Sequence, residues 1–149
     1  MKQFLFLLIS ATLSFSGYTQ LKDPVSFTYA TKKKSEGNYD IVLTASIQKP
    51  WHIYSQNTGK GPIPTQFTFK PNPLITIEGK VKEVGKLEKV YDPNFKSEVL
   101  FYSNSVQFVQ PIKLKAKAKT AIVATITYMV CNDEQCLPPT KKTFSITVQ

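Results

Sequence analysis

The chain has 149 residues, 42% of them hydrophobic, and a formal net charge of +9 at pH 7; this is the length of one ordinary domain. All nineteen cations are lysine and none is arginine. That composition argues against a nucleic-acid reader, because such proteins use arginine for bidentate contacts to guanine and phosphate.

At the N-terminus, Lys2 precedes an apolar run from Phe4 to Phe15, and the small residues Gly17 and Thr19 sit at the −3 and −1 places for a cut before Gln20. The pattern predicts a secretory signal peptide over residues 1–19 and one exported domain over 20–149, against the competing reading of a buried N-terminal strand. No cysteine follows the run to take a lipid anchor. Cleavage would leave 149 − 19 = 130 residues and a charge of +8, since Lys2 departs. No later stretch approaches the ~18 apolar residues of a membrane helix, so no membrane span is expected in the mature chain.

From there the sequence reads as alternation with period two, the mark of half-buried strands. Val25, Phe27 and Tyr29 open the series. Tyr39, Ile41, Leu43, Ala45 and Ile47 follow, with Val42 on the polar side. Phe67 and Phe69 flank Thr68, and Ile75, Ile77 and Val81 continue the theme. Val106, Phe108, Ile112 and Leu114 share one parity, Ile122, Ala124, Ile126, Tyr128 and Val130 another, and Phe144, Ile146 and Val148 close the chain. Turn-forming residues gather between the runs, at Glu36–Asn38, Asn57–Pro64, Pro71–Pro73 and Asp92–Asn94. Lys113, Lys115, Lys117 and Lys119 alternate with apolar residues, as on the wet face of a strand; with Lys32–Lys34 they read as solvated surface. The expected fold class is all-β, an immunoglobulin-like β-sandwich of seven to nine mostly antiparallel strands.

The chemistry lies in Tyr128–Pro139. Cys131 ends an apolar strand, Asn132–Gln135 suit a hairpin loop, and Cys136 begins the return. Export permits oxidation, and two cysteines allow a single intramolecular pair. Opposed across a strand pair, they would bring their Cα atoms within the ~4.4–6.8 Å that a disulfide allows. Cys131 has odd parity in a strand whose apolar residues are even, which places the pair near the sandwich rim unless a bulge intervenes. A ring this small stabilises by only about 2 kcal/mol in the chain-entropy model, yet a short surface ring is easy for a thiol to reach. Spacing alone leaves a redox pair and a structural staple level. Asp133 and Glu134 would disfavour a thiolate, unlike a Cys-x-x-Cys at a helix N-terminus. Such a pair needs a partner's help to react. One distant histidine, His52, makes zinc or copper binding a weak alternative.

The segment Tyr-x-x-Cys-x-Asp-x-x-Cys-x-Pro-Pro resembles the active-site hairpin of the N-terminal periplasmic domain of DsbD, the thiol:disulfide interchange proteins. Pro50–Gln56 resembles that family's aromatic strand, Gly61–Thr65 the loop after it in shorter relatives, and Val90–Glu98 the segment forming its cap loop. The cysteine spacing is one residue shorter than in the best-known members.

The resemblance implies an immunoglobulin-like redox domain without a bound cofactor or metal. It exchanges thiols and disulfides with thioredoxin-fold periplasmic proteins such as a disulfide isomerase and a cytochrome c maturation factor. Cys136 would form the mixed disulfide and Cys131 would resolve it. His52 and Tyr54 would stand beside the cysteines, with core packing an equal reading for Tyr54 and Trp51. Phe95, or a neighbour in Tyr91–Lys96 such as Asp92, would supply the lid; Asp133 lies in the loop itself. Because the sequence stops at Gln149, a stand-alone module is expected, whose electrons come from a separate membrane protein. The reading from another class is an exported binding module with an inert staple.

Overall fold

The computed structural model describes residues 23–93 and 95–149. The expected signal peptide, 1–19, and the first residues of the domain lie outside them. Ten strands follow in order: β1 (Val25–Ser35), β2 (Asn38–Ile47), β3 (His52–Tyr54), β4 (Gln66–Phe69), β5 (Ile75–Ile77), β6 (Lys82–Asp92), β7 (Ser97–Leu114), β8 (Thr120–Tyr128), β9 (Val130–Cys131) and β10 (Thr140–Val148). There is no helix among the described residues. All the strand pairings are antiparallel. The count exceeds the expected seven to nine because β3 is too short to show alternation and the two-residue β9 reads in sequence as the end of β8.

Two sheets form an immunoglobulin-like sandwich. In the larger, the long β7 is flanked by β2 and then β3 on one side and by β6 on the other: Val106 pairs with both Ala45 and Gly85, and Tyr102 with both Ile53 and Leu87. β1 extends the sheet beyond β2, β9 beyond β3, and β5 pairs with the far end of β7. The smaller sheet runs β10–β8–β4. Between them lies one core, filled by the predicted parities: Ile41, Leu43 and Ala45; Val106, Phe108 and Ile112; Ile122, Ala124 and Ile126; Ile146 and Val148.

The structure corrects several expectations. Val42 is buried as well, because β2 is an inner strand. Tyr29 is half-exposed despite its parity, since β1 lies at the sheet margin. β7 ends at Leu114, so Lys115–Lys119 belong to the loop before β8 and not to a strand face. Cys131 does not end one long strand. β8 stops at Tyr128, the chain crosses at Met129, and Val130–Cys131 joins the opposite sheet beside β3.

A polar knot ties the start of the domain to the smaller sheet. Tyr128 donates to Asp23 at 2.5 Å and Lys142 pairs with the same carboxylate oxygen at 2.5 Å. Lys142 also donates to Val25 O at 2.8 Å and lies over the Phe27 ring. Burial alone raises the Asp23 carboxyl; the hydrogen bonds from Lys142, Tyr128 and Val25 outweigh it and leave the group below its ordinary 3.8. A carboxyl depressed in the folded state stabilises above its unfolded value and loses that contribution as pH falls through the folded one. Urea unfolding from about pH 5 to pH 2 should therefore show a steeper loss of stability for the wild type than for Asp23→Asn; parallel curves would refute the linkage.

Candidate functional site

The pairing of β3 with β9 builds the site. His52 opposes Cys131 and Ile53 opposes Val130. Because successive side chains point to opposite faces, Ile53 and Val130 enter the sandwich core while Cys131 and Tyr54 join a second, small apolar cluster. Cys131, His52 and Ser103 form one cross-strand row, Tyr54, Phe101 and Glu88 the next, and Val99 with Val90 a third.

Cys131 and Cys136 are joined as a disulfide and oppose each other in an antiparallel bridge, with Cα atoms 4.0 Å apart. This is closer than the expected window. Leu137 N donates to Val130 O and Asn132 N to Gln135 O, both at 2.9 Å, one on each side of the bridge. The four-residue loop is closed by Asn132, whose Oδ1 accepts from Glu134 N at 3.0 Å and Gln135 N at 2.8 Å; asparagine is the residue type suited to such a turn. The two sulfur-bearing residues differ in access. Cys136 is exposed, whereas Cys131 is 2% exposed. The parity argument put Cys131 on the correct face but at an open rim; the turn between β6 and β7 covers it instead.

That turn is the segment in which the resemblance placed a cap. Phe95 packs into the Cys131 cluster, its ring edge-on to Tyr54 at 6.5 Å. Phe95 N approaches Asp92 Oδ1 at 3.4 Å. The cap is fastened to the loop after β3: Leu100 N donates to Thr58 Oγ1 at 3.1 Å, Ser55 N to Leu100 O at 2.9 Å, and Ser97 Oγ to Lys60 O. Gly61, at φ +119°, leaves no room for a side chain, since a Cβ there would stand 2.4 Å from the Phe95 ring. Beneath the loop, Glu83 of β6 accepts from Ser55 Oγ at 2.7 Å, Gln56 N at 2.8 Å and the Tyr102 hydroxyl at 3.2 Å.

An open groove of about 410 Å³ runs past the cysteine loop, lined by His52, Tyr91, Asp92, Phe101, Asn132 and Asp133 among others. The structure thus brings His52, Tyr91, Asp92 and Asp133 together in one groove, and Tyr54 and Phe95 together over Cys131. Trp51 is different: it packs against the main core. The His52 ring lies 4.3 Å from the Phe101 ring, and its Nε2 is 3.3 Å from the Tyr54 hydroxyl. Burial pushes His52 below its ordinary 6.5, partly offset by Asp133, Asp92 and Glu88. Burial, with Asp92, pushes Tyr54 up to about 12. Phe101, Val99 and Glu83 were not singled out from sequence, and Gly61 was named only as part of the loop Gly61–Thr65. Phe101 could have been found only by knowing the β3–β7 register.

Residues 20–148 match the model of the DsbD N-terminal family, thiol:disulfide interchange proteins. The chain belongs to this family. Among curated proteins, none is significantly similar to it in sequence. Several solved structures share the fold, two of them as follows. The N-terminal periplasmic domain of ScsB from Proteus mirabilis is 13% identical with a TM-score of 0.61; the match covers 84% of this chain and 47% of that one, so this chain spans about half its length. The reduced DsbD N-terminal domain of Neisseria meningitidis is 18% identical with a TM-score of 0.56, covering 82% of this chain and 85% of that one.

The cap makes a direct prediction. In the reduced protein, Gly61→Ala and Phe95→Ala should each speed reaction of the thiols with a bulky reagent by roughly tenfold, the cost of about 1.4 kcal/mol of cap packing. Unchanged rates would mean that Phe95 only packs.

Proposed function

We propose that this chain is a periplasmic thiol:disulfide exchange module, exported by residues 1–19, that passes electrons to thioredoxin-fold proteins through Cys131 and Cys136. The observation that carries this reading is the asymmetry of the pair: an exposed Cys136 bonded to a Cys131 sealed under a fastened cap. An inert staple has no use for such a cover.

In the reduced state the Cys136 thiolate attacks a partner's disulfide. One partner sulfur becomes bonded to Cys136 and the other leaves as a thiolate. Cys131 then attacks Cys136 Sγ; the Cys131–Cys136 bond forms and the second partner sulfur departs with the electron pair. Two electrons have passed to the partner. A separate membrane protein restores the dithiol. Neither step requires a bound cofactor. Asp133 and Glu134, both exposed beside the ring, disfavour a free thiolate, so reaction with random disulfides is slow. Docking of a partner supplies the activation. Asp92 and Tyr91 form the groove wall such a partner meets, and Phe95 is the lid it displaces.

The role assignment is tested by trapping. Cys131→Ser should accumulate a mixed disulfide with a thioredoxin-fold partner in pull-downs, and Cys136→Ser should not; trapping by the opposite mutant reverses the roles. The reduction potential separates exchange from stapling. A value more oxidising than about −300 mV supports exchange, and one well below it makes the bond structural.

A further inference from the structure

His52 has a relation to Cys131 that no other polar side chain of the site shares. It is the direct cross-strand partner of Cys131, so the two leave the same face with Cβ atoms about 4.5–5.5 Å apart. Cys131 is almost wholly covered. A thiol there cannot pass its proton to bulk water while the cap is closed, and burial disfavours its thiolate. The rest of its cluster offers no base: Val99, Phe95, Phe101 and Met129 are apolar, and Tyr54 keeps its proton to about 12.

His52 meets the requirement from every side. Its Nε2 lies 3.3 Å from the Tyr54 hydroxyl and its ring packs against Phe101, tilted by 32° with centroids 4.3 Å apart. In the tautomer whose Nε2–H donates to Tyr54, Nδ1 carries a free lone pair. Burial keeps the ring neutral at neutral pH, ready to accept. The carboxylates acting on it are Asp133 from the cysteine loop and Asp92 and Glu88 from β6. They stabilise the imidazolium once it forms.

We propose that His52 is the proton acceptor for the Cys131 thiol in the step that closes the disulfide. The proposal rests on the exchange reading. As Cys131 Sγ attacks Cys136 Sγ, its proton passes to the imidazole. The Cys136–partner bond breaks, and the partner sulfur leaves with the electron pair. The imidazolium returns its proton to that thiolate. In the reverse direction the imidazolium protonates Cys131 as the ring opens.

The test uses the reduced protein and an aromatic disulfide reagent whose thiol is coloured on release. Cys136 releases the first equivalent, and ring closure by Cys131 releases the second. In the wild type, the second release should rise with pH through an inflection below 6.5, the ordinary histidine value. In His52→Phe that inflection should vanish, and the ratio of second to first release should fall about 10²-fold near neutral pH. The curves should converge where hydroxide ionises the thiol. His52→Gln keeps a polar, uncharged side chain and should be as slow. An unchanged pH profile in His52→Phe, or a full rate in His52→Gln, overturns the proposal. The exchange reading fails separately, if Cys131→Ser traps no thioredoxin-fold partner while the small reagent still shows the His52-dependent release.

Discussion

Everything distinctive about this domain depends on a strand pairing two residues long. β9 lies against β3 with Val130 beside Ile53 and Cys131 beside His52. The alternation of a strand forces these neighbours to opposite sides. The inner pair is anchored in the sandwich core, with Ile53 wholly buried and Val130 at 2% exposure. That anchoring holds Cys131 and His52 in fixed relation on the outer face. The large apolar core is therefore the device that positions the chemistry.

The outer face is useful only because it is covered on one side and open on the other. The cap shields Cys131 and leaves Cys136 free. Its fastening draws on three separate parts of the chain: Phe95 of the cap, Gly61 of the loop after β3, and Glu83 of β6 under that loop. None of these is a large energy by itself. A few hydrogen bonds of about 1 kcal/mol each and one aromatic contact hold this cover over Cys131. These attachments are modest beside the packing of the sandwich core.

Much of this was legible in the sequence. The core positions of β8, β10 and the Val106–Leu114 part of β7 could be read from alternation, apart from the buried Gln110, because each alternates polar and apolar side chains across a sheet with one buried face. The cysteine hairpin followed from the count of two thiols and a four-residue polar loop. The crossing at Met129 did not, for a physical reason. Tyr128 and Val130 both point into the same core from opposite sheets, so the even parity passes through the crossing unbroken and imitates one strand. The burial of Cys131 was hidden for the same reason. Phe101 and Glu83 carry no motif and gain meaning only from register. Gly61 reads as loop punctuation until the Phe95 ring is placed against it.

β6 has a further consequence. Among the described residues it pairs with β7 alone, so its other edge presents unpaired backbone groups. It also exposes Val84, Leu87 and Val90, with Val84 at 54%. A long apolar edge of this kind is a template for another chain to add a strand. Lys82, Lys86 and Lys89 are interspersed along the same strand, and charged side chains on an edge oppose such addition. These three lysines oppose self-association along the same strand that lines the groove beside His52.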